Sequence, residues 1–198
     1  AECAIHDAAM AFAALGVHPG QTAVTMLDNN IDAVLCWFAI NKLCAVSVPI
    51  NTALKGEFQR HQIADAGAAL VVCEAAYAER IAAVSDGLPD VQQVLTRGTP
   101  GDRQCGTLPL ASLDEHRGSD DSAFERKPQP WELACLIYTS GTTGPSKGCM
   151  ISYNYMCNLA RLQLRAGPAN ENDVTITPLP LFHMNAMCVG VLASILVG

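Results

Sequence analysis

The feature that most restricts the folds open to this chain is an alternation of short β-branched or apolar runs with longer helical segments. Thr22 to Leu27, Val46-Ser47-Val48 and Leu70 to Cys73 read as buried strands, while Ile31 to Leu43, Lys55 to Ala66 and Ala75 to Val84 read as helices. An alanine-rich helix from Glu2 to Leu15, with Ile5, Met10, Phe12 and Leu15 as anchors, comes first and stops at Gly16. Strands separated by helices are joined by crossovers and run parallel. The predicted class is α/β, a three-layer arrangement in which a mostly parallel sheet carries helices on both faces.

From 96 to 130 the pattern lapses into Gly, Asp, Ser, Arg and Pro, which predicts a surface connection. Regular order returns at Trp131. Glu132 to Tyr138 reads as a buried strand, expected to be central in the sheet and to deliver the loop that follows at its carboxyl end.

Composition narrows the partners. Half of the 198 residues are hydrophobic and 16% are charged, a balance for burying a core. A net charge of -7, with 12 Lys and Arg and no run of them, gives no electrostatic footprint for nucleic acid or an anionic membrane. The nine cysteines are widely spaced without a Cys-x-x-Cys pair, so zinc has no site in the pattern. They fit reduced, structural thiols of a cytoplasmic protein. The first residues lack the basic start and apolar core of a secretory signal. The uncharged run 186–198 is shorter than the roughly 20 residues of a membrane span and reads as a truncated core helix. No transmembrane segment is expected.

The chemistry concentrates after Tyr138. Thr139-Ser140-Gly141-Thr142-Thr143-Gly144-Pro145-Ser146-Lys147-Gly148 brings hydroxyls, glycines and one lysine into a single loop. Glycines let backbone N–H groups approach phosphate oxygens, hydroxyls add neutral donors, and the lysine adds charge. The spacing is not that of a Walker loop, and Cys149-Met150-Ile151 resumes a strand-like run at once. A flexible Ser/Gly/Thr linker would share the composition, but not the placement between two apolar segments.

The run YTSGTTGPSKG (138–148) resembles the phosphate-binding signature of the acyl-adenylate-forming superfamily. LGVHPGQTAV and VPIN upstream, and PLPLFHMNA (178–186) downstream, are similar to segments of its acyl-CoA synthetase branch, in the same order. PINTALKGEFQRHQIADAGA looks closest to carnitine/crotonobetaine-type ligases. The resemblance implies that Thr139, Ser140, Gly141, Thr142, Thr143, Gly144, Ser146, Lys147 and Gly148 hold the β- and γ-phosphates of ATP. It also implies that His183 lies beside the acyl-adenylate and the route of the thiol. Ser146 departs from the more frequent proline before the lysine. Phe182 reads as packing, and His6, His18, His61 and His116 as surface or turn residues.

The reaction so implied is ATP- and magnesium-dependent activation of a carboxylic acid, followed by thioester formation with coenzyme A or a carrier-protein thiol. Residues 1–198 would form part of the amino-terminal AMP-binding domain, with 138–148 as phosphate loop and the carboxy-terminal domain absent. Residues 1–15 and 175–198 are then expected to pack against further sequence, and a homodimer is open for the parent. The alternative is a non-catalytic ATP/AMP-binding module or pseudo-ligase. An NAD-binding domain is excluded because no Gly-x-Gly-x-x-Gly follows the first strand.

Overall fold

The computed structural model describes residues 2–115, 126–139 and 144–198. In chain order the elements are α1 (Glu2–Ala14), β1 (Thr22–Met26), α2 (Ile31–Lys42), β2 (Val46–Pro49), α3 (Gly56–Asp65), β3 (Ala68–Glu74), α4 (Ala78–Ala82), β4 (Gln93–Arg97), β5 (Gln104–Cys105) and β6 (Leu108–Ser112). They continue with β7 (Leu133–Thr139), β8 (Lys147–Ser152), α5 (Tyr153–Ala166), a π-helix (Asn185–Leu192) and α6 (Ala193–Val197). The strands make one eight-stranded sheet in the order β5-β6-β4-β3-β1-β2-β7-β8. Among the described residues only the pairs at its two ends, β5–β6 and β7–β8, are antiparallel.

Side chains alternate across β3, yet all seven of its residues are buried, because helices cover both faces of the sheet. Val71 and Cys73 point into a core with Val24, Val48, Ile63 and Ile81, beneath α3 and α4. Leu70 and Val72 point the other way, into a core with Phe12 and Ile40 of α1 and α2. A third cluster joins Trp37, Cys135 and Ile137 to Met156 of α5 and Met187 of the π-helix. The α/β class and the three layers are as the alternation predicts.

Several local expectations fail. The strand 132–138 is not central: β7 lies second from the end of the sheet, paired in parallel with β2 at Ser47 and Cys135 and antiparallel with β8. Within 96–130, β5, β6 and a 3-10 turn at Leu113–Glu115 are ordered, and Cys105, Leu108 and Leu110 are buried. Alternate residues of the short run Leu108-Pro109-Leu110 suffice to cover the first core. Residues 116–125 lie outside the described residues. The helix expected over 75–84 is broken into a 3-10 turn, the five-residue α4 and a second 3-10 turn ending at Gly87. Two further elements had no counterpart in the sequence reading. β4 continues the parallel register of β3, and α5 is capped by Ser152, whose hydroxyl accepts from the Tyr155 N–H.

The run 186–198 is helical but only half covered: Ala186, Met187 and Cys188 are buried, whereas Ile195 and Leu196 are exposed. Val174 and Ile176 nearby are also exposed. At the other end Ala9 to Phe12 of α1 are buried, and Glu2 to Ala4 are exposed. No helix among the described residues is long and apolar enough to cross a membrane.

Candidate functional site

The loop at 139–147 closes a β-hairpin. Thr139 of β7 stands opposite Lys147 of β8, and Tyr138 opposite Gly148. This is why the chain returns as a strand where a Walker loop would enter a helix. Gly148 lies over the Tyr138 ring, where a Cβ would meet it at 3.4 Å, an ordinary packing contact. Gly144 serves by conformation, with φ at +96° and open space around it. Ser140, Gly141, Thr142 and Thr143 lie outside the described residues.

Helix α3 grips both shoulders of this hairpin. Tyr138 donates its hydroxyl proton to Asp65 Oδ2 at 2.7 Å. His61 Nε2 lies 2.9 Å from the Ser146 carbonyl oxygen, and Gln62 Nε2 donates to Ser146 Oγ at 3.0 Å. Burial and the neighbouring Asp65 carboxylate push the Tyr138 phenol up from its ordinary value, so it remains a donor. Thr139 and Lys147 are exposed, and the Thr139 hydroxyl lies 3.8 Å from Cys149 Sγ.

His183 reaches the same place from the far end of the chain. A turn in which the His183 N–H donates to the Pro180 carbonyl leads into the π-helix, and its ring tilts against Phe182 with centroids 4.7 Å apart. Asn29, just after β1, fixes this segment in both directions. Its amide donates to the Leu179 carbonyl at 2.9 Å, and its Oδ1 accepts from the Leu181 N–H at 2.9 Å.

Between these parts lies a cavity of about 420 Å³ lined by Pro49, Asn51, Phe58, Gln62, Ser146 and His183, among others. Tyr138, Gly144 and Phe182 complete its hairpin and turn walls. The cavity lies where the carboxyl ends of β2 and β7 meet, which is where open α/β sheets bind their ligands. Of the residues singled out from sequence, Gly144, Ser146 and His183 come together here, whereas Thr139, Lys147 and Gly148 do not line the cavity. Phe182 is a wall of the cavity as well as a packing residue. His61, expected at a bare surface, hydrogen-bonds the loop instead. Asp65, His61 and Gln62 lie within the run PINTALKGEFQRHQIADAGA, but the resemblance of that run gave them no role at the loop; their spacing on α3, one helical turn from first to last, was the remaining signal.

The nine cysteines are free. Burial pushes the Cys36, Cys73 and Cys188 thiols up to about 12 and that of Cys105 to about 11, which removes them as nucleophiles. Among the described residues no group of three His, Cys, Asp or Glu side chains gathers to hold a metal.

In sequence the chain is 27% identical over 204 residues to the crotonobetaine/carnitine–CoA ligase of Salmonella arizonae, covering 98% of this chain and 38% of that protein. It is also 27% identical over 223 residues to a long-chain-fatty-acid–CoA ligase of Escherichia coli O157:H7, covering 98% of this chain and 40% of the ligase. In structure it superposes on the anthranilate CoA ligase AuaEII, solved in complex with anthranoyl-AMP, with a TM-score of 0.87 at 22% identity over 98% of this chain and 37% of that one. ATP-bound MatB from Rhodopseudomonas palustris gives a TM-score of 0.79 at 22% identity, over 98% and 37% of the two chains. At that identity the structural likeness speaks for the fold. The family match is broader, since it runs over residues 1–198 and is to the AMP-binding enzymes; the chain belongs to that family.

Proposed function

We propose that this chain supplies the phosphate-handling part of a ligase that activates a carboxylic acid with ATP and transfers the acyl group to the thiol of coenzyme A. The observation that carries this is the shared cavity, where the shoulder of the phosphate loop, the end of β2 and the Phe182–His183 turn face one another. A polar wall for phosphate and a largely apolar wall of Pro49, Ile50, Leu54 and Phe58 suit a ligand with an anionic and an organic half. The relatives named above are CoA ligases, and an acyl-adenylate and ATP occupy two of the similar structures.

In the first half-reaction a carboxylate oxygen bonds to the α-phosphorus, the bond to the bridging oxygen breaks, and pyrophosphate departs. In the second, a thiolate sulfur bonds to the acyl carbon, the bond to the adenylate oxygen breaks, and AMP leaves. Neither step needs a protein nucleophile. The protein's part is to position reactants and stabilise charge on phosphate oxygens. We assign that to the donors of Thr139 to Gly144, Ser146 and Gly148, with Lys147 as the cation that meets the departing phosphates. His183 is assigned to the acyl side, beside the path of the thiol. Magnesium bound with ATP would offset charge on the phosphate oxygens; among the described residues no group of three His, Cys, Asp or Glu side chains gathers to hold it.

The chain spans 38% and 40% of the two CoA ligases compared, so turnover is a proposal for the full-length protein. The test is carboxylate-dependent exchange of labelled pyrophosphate into ATP, with a panel of short, aromatic, long-chain and carnitine-like acids. Exchange with at least one acid is expected. Nucleotide binding with no exchange for any acid would mark a non-catalytic ATP/AMP-binding module instead.

A further inference from the structure

We infer that α3 is the positioning element of the phosphate loop: His61, Gln62 and Asp65 hold its two ends, and Gln62 presents the Ser146 hydroxyl as a donor to phosphate. The inference rests on the functional reading above and adds three residues to which the sequence gave no role at the site. His61 and Asp65 are four residues apart and share one face of α3, with Gln62 beside them. Asp65 takes the hydroxyl proton of Tyr138 at the start of the loop, and the other two bind Ser146 at its end. The ring of His61 also stands edge-on to that of Tyr138, 6.5 Å between centroids. Two shoulders of one hairpin are thus referred to a single rigid helix.

The direction of each hydrogen bond matters. A carbonyl oxygen only accepts, so His61 carries its proton on Nε2 and donates to Ser146. Gln62 donates to Ser146 Oγ, and a hydroxyl that accepts from an amide keeps its own proton for another partner. Ser146 lines the cavity, so that proton is available to a phosphate oxygen of a bound nucleotide. Serine has no ring to fix its own φ, and the residue before Lys147 therefore owes its place to these two bonds.

Gln62 is a poor choice for stability. Its side chain is 7% exposed, and Oε1 is buried with no partner. A buried acceptor left unpaired opposes folding, and an apolar residue of the same length would be better there if packing were the only duty. Its amide is retained where it touches the loop.

The test uses the full-length protein with Gln62→Met, Ser146→Ala and the double variant. Methionine keeps the length and removes both the amide donor and the unpaired oxygen, so the thermal midpoint should stay or rise. In the same protein the KM for ATP in pyrophosphate exchange should rise about five- to tenfold, the worth of one or two hydrogen bonds. The double variant should be no worse than Ser146→Ala alone, because without the hydroxyl Gln62 has nothing left to present. A lowered midpoint with unchanged KM, or losses that multiply in the double variant, would overturn the inference. Amide hydrogen exchange over residues 144–148 supplies a readout that needs no turnover: faster exchange there in Gln62→Met supports the clasp, and unchanged exchange refutes it. A wild type without pyrophosphate exchange would sink the assigned reaction, and hydrogen exchange would still decide the clasp.

Discussion

β1 and β3 on one side, and the β7–β8 hairpin on the other, show how one sheet divides its labour. β1 runs in continuous parallel register with β3 from Ala23 to Met26, has β2 on its other flank, and lies between helices on both faces. β7 meets β2 at one register pair, Ser47 with Cys135, and β8 leaves Met150 76% exposed. The first region buries nearly every side chain and offers no chemistry. The second has side chains to spare from packing, and the signature loop hangs from it. On the proposed reading, stability and function lie on different strands, and substitutions should separate them.

The largest effect is expected in the first region. Leu70 in β3 has no exposed surface, and Leu70→Ala should cost about 2–5 kcal/mol in urea or thermal unfolding. Equal tolerance of this change and of a hairpin substitution would break the comparison. A smaller cost is expected at the seam. Buried Asn41 accepts from Trp37 Nε1 at 2.9 Å and donates to the Ala134 carbonyl at 2.8 Å, tying α2 to β7 where the strand pairing is thin. Asn41→Ala leaves both groups unpaired and should cost about 1–3 kcal/mol, with hydrogen exchange rising first over 133–138. At the edge, Met150→Thr should change stability by less than about 0.5 kcal/mol.

Cysteine chemistry sharpens the same contrast. Cys73 lies in the core of the first region with its thiol pushed up to about 12 by burial, and Cys149 lies exposed on β8. Alkylation near pH 8 should label Cys149 and spare Cys73, as read by peptide mass. The sign of the pH dependence follows. The folded value is raised above the ordinary 9.0, so this contribution to stability is intact below pH 9 and is lost as pH climbs towards 12. Urea midpoints measured from pH 8 to 11 should fall across that range.

The first region was the more legible in sequence. Leu70 to Cys73 and Thr22 to Leu27 are short apolar runs between helical segments, and periodicity finds such runs wherever both faces are covered. The loop stood out for another reason, since its glycines, hydroxyls and single lysine are gathered in one place. The position of β7 at the flank of the sheet was not legible, because strand order is set by which edges pair, and Glu132 to Tyr138 would read alike at the centre. β4 was missed because the polar Gln92-Gln93 stands at its start, whereas α5 was passed over although its sequence is rich in apolar residues, of which only Met156 and Ala160 are buried. The clasp by His61, Gln62 and Asp65 could not be seen, as it joins α3 to residues 73 to 85 positions away.

The central claim is that the hairpin loop handles phosphate while the core elsewhere holds the fold, and Lys147 tests it most directly. In the full-length protein, pyrophosphate exchange and the transfer from pre-formed acyl-adenylate to thioester are measured side by side in wild type and Lys147→Ala. Losing a charge-assisted contact to the departing phosphates should slow exchange roughly ten- to a hundredfold, about 1.5–3 kcal/mol. Thioester formation from the adenylate should be largely spared, and the thermal midpoint should hardly move, since Lys147 is exposed. Equal loss in both half-reactions, or exchange at the wild-type rate, would contradict the assignment of the loop to phosphate.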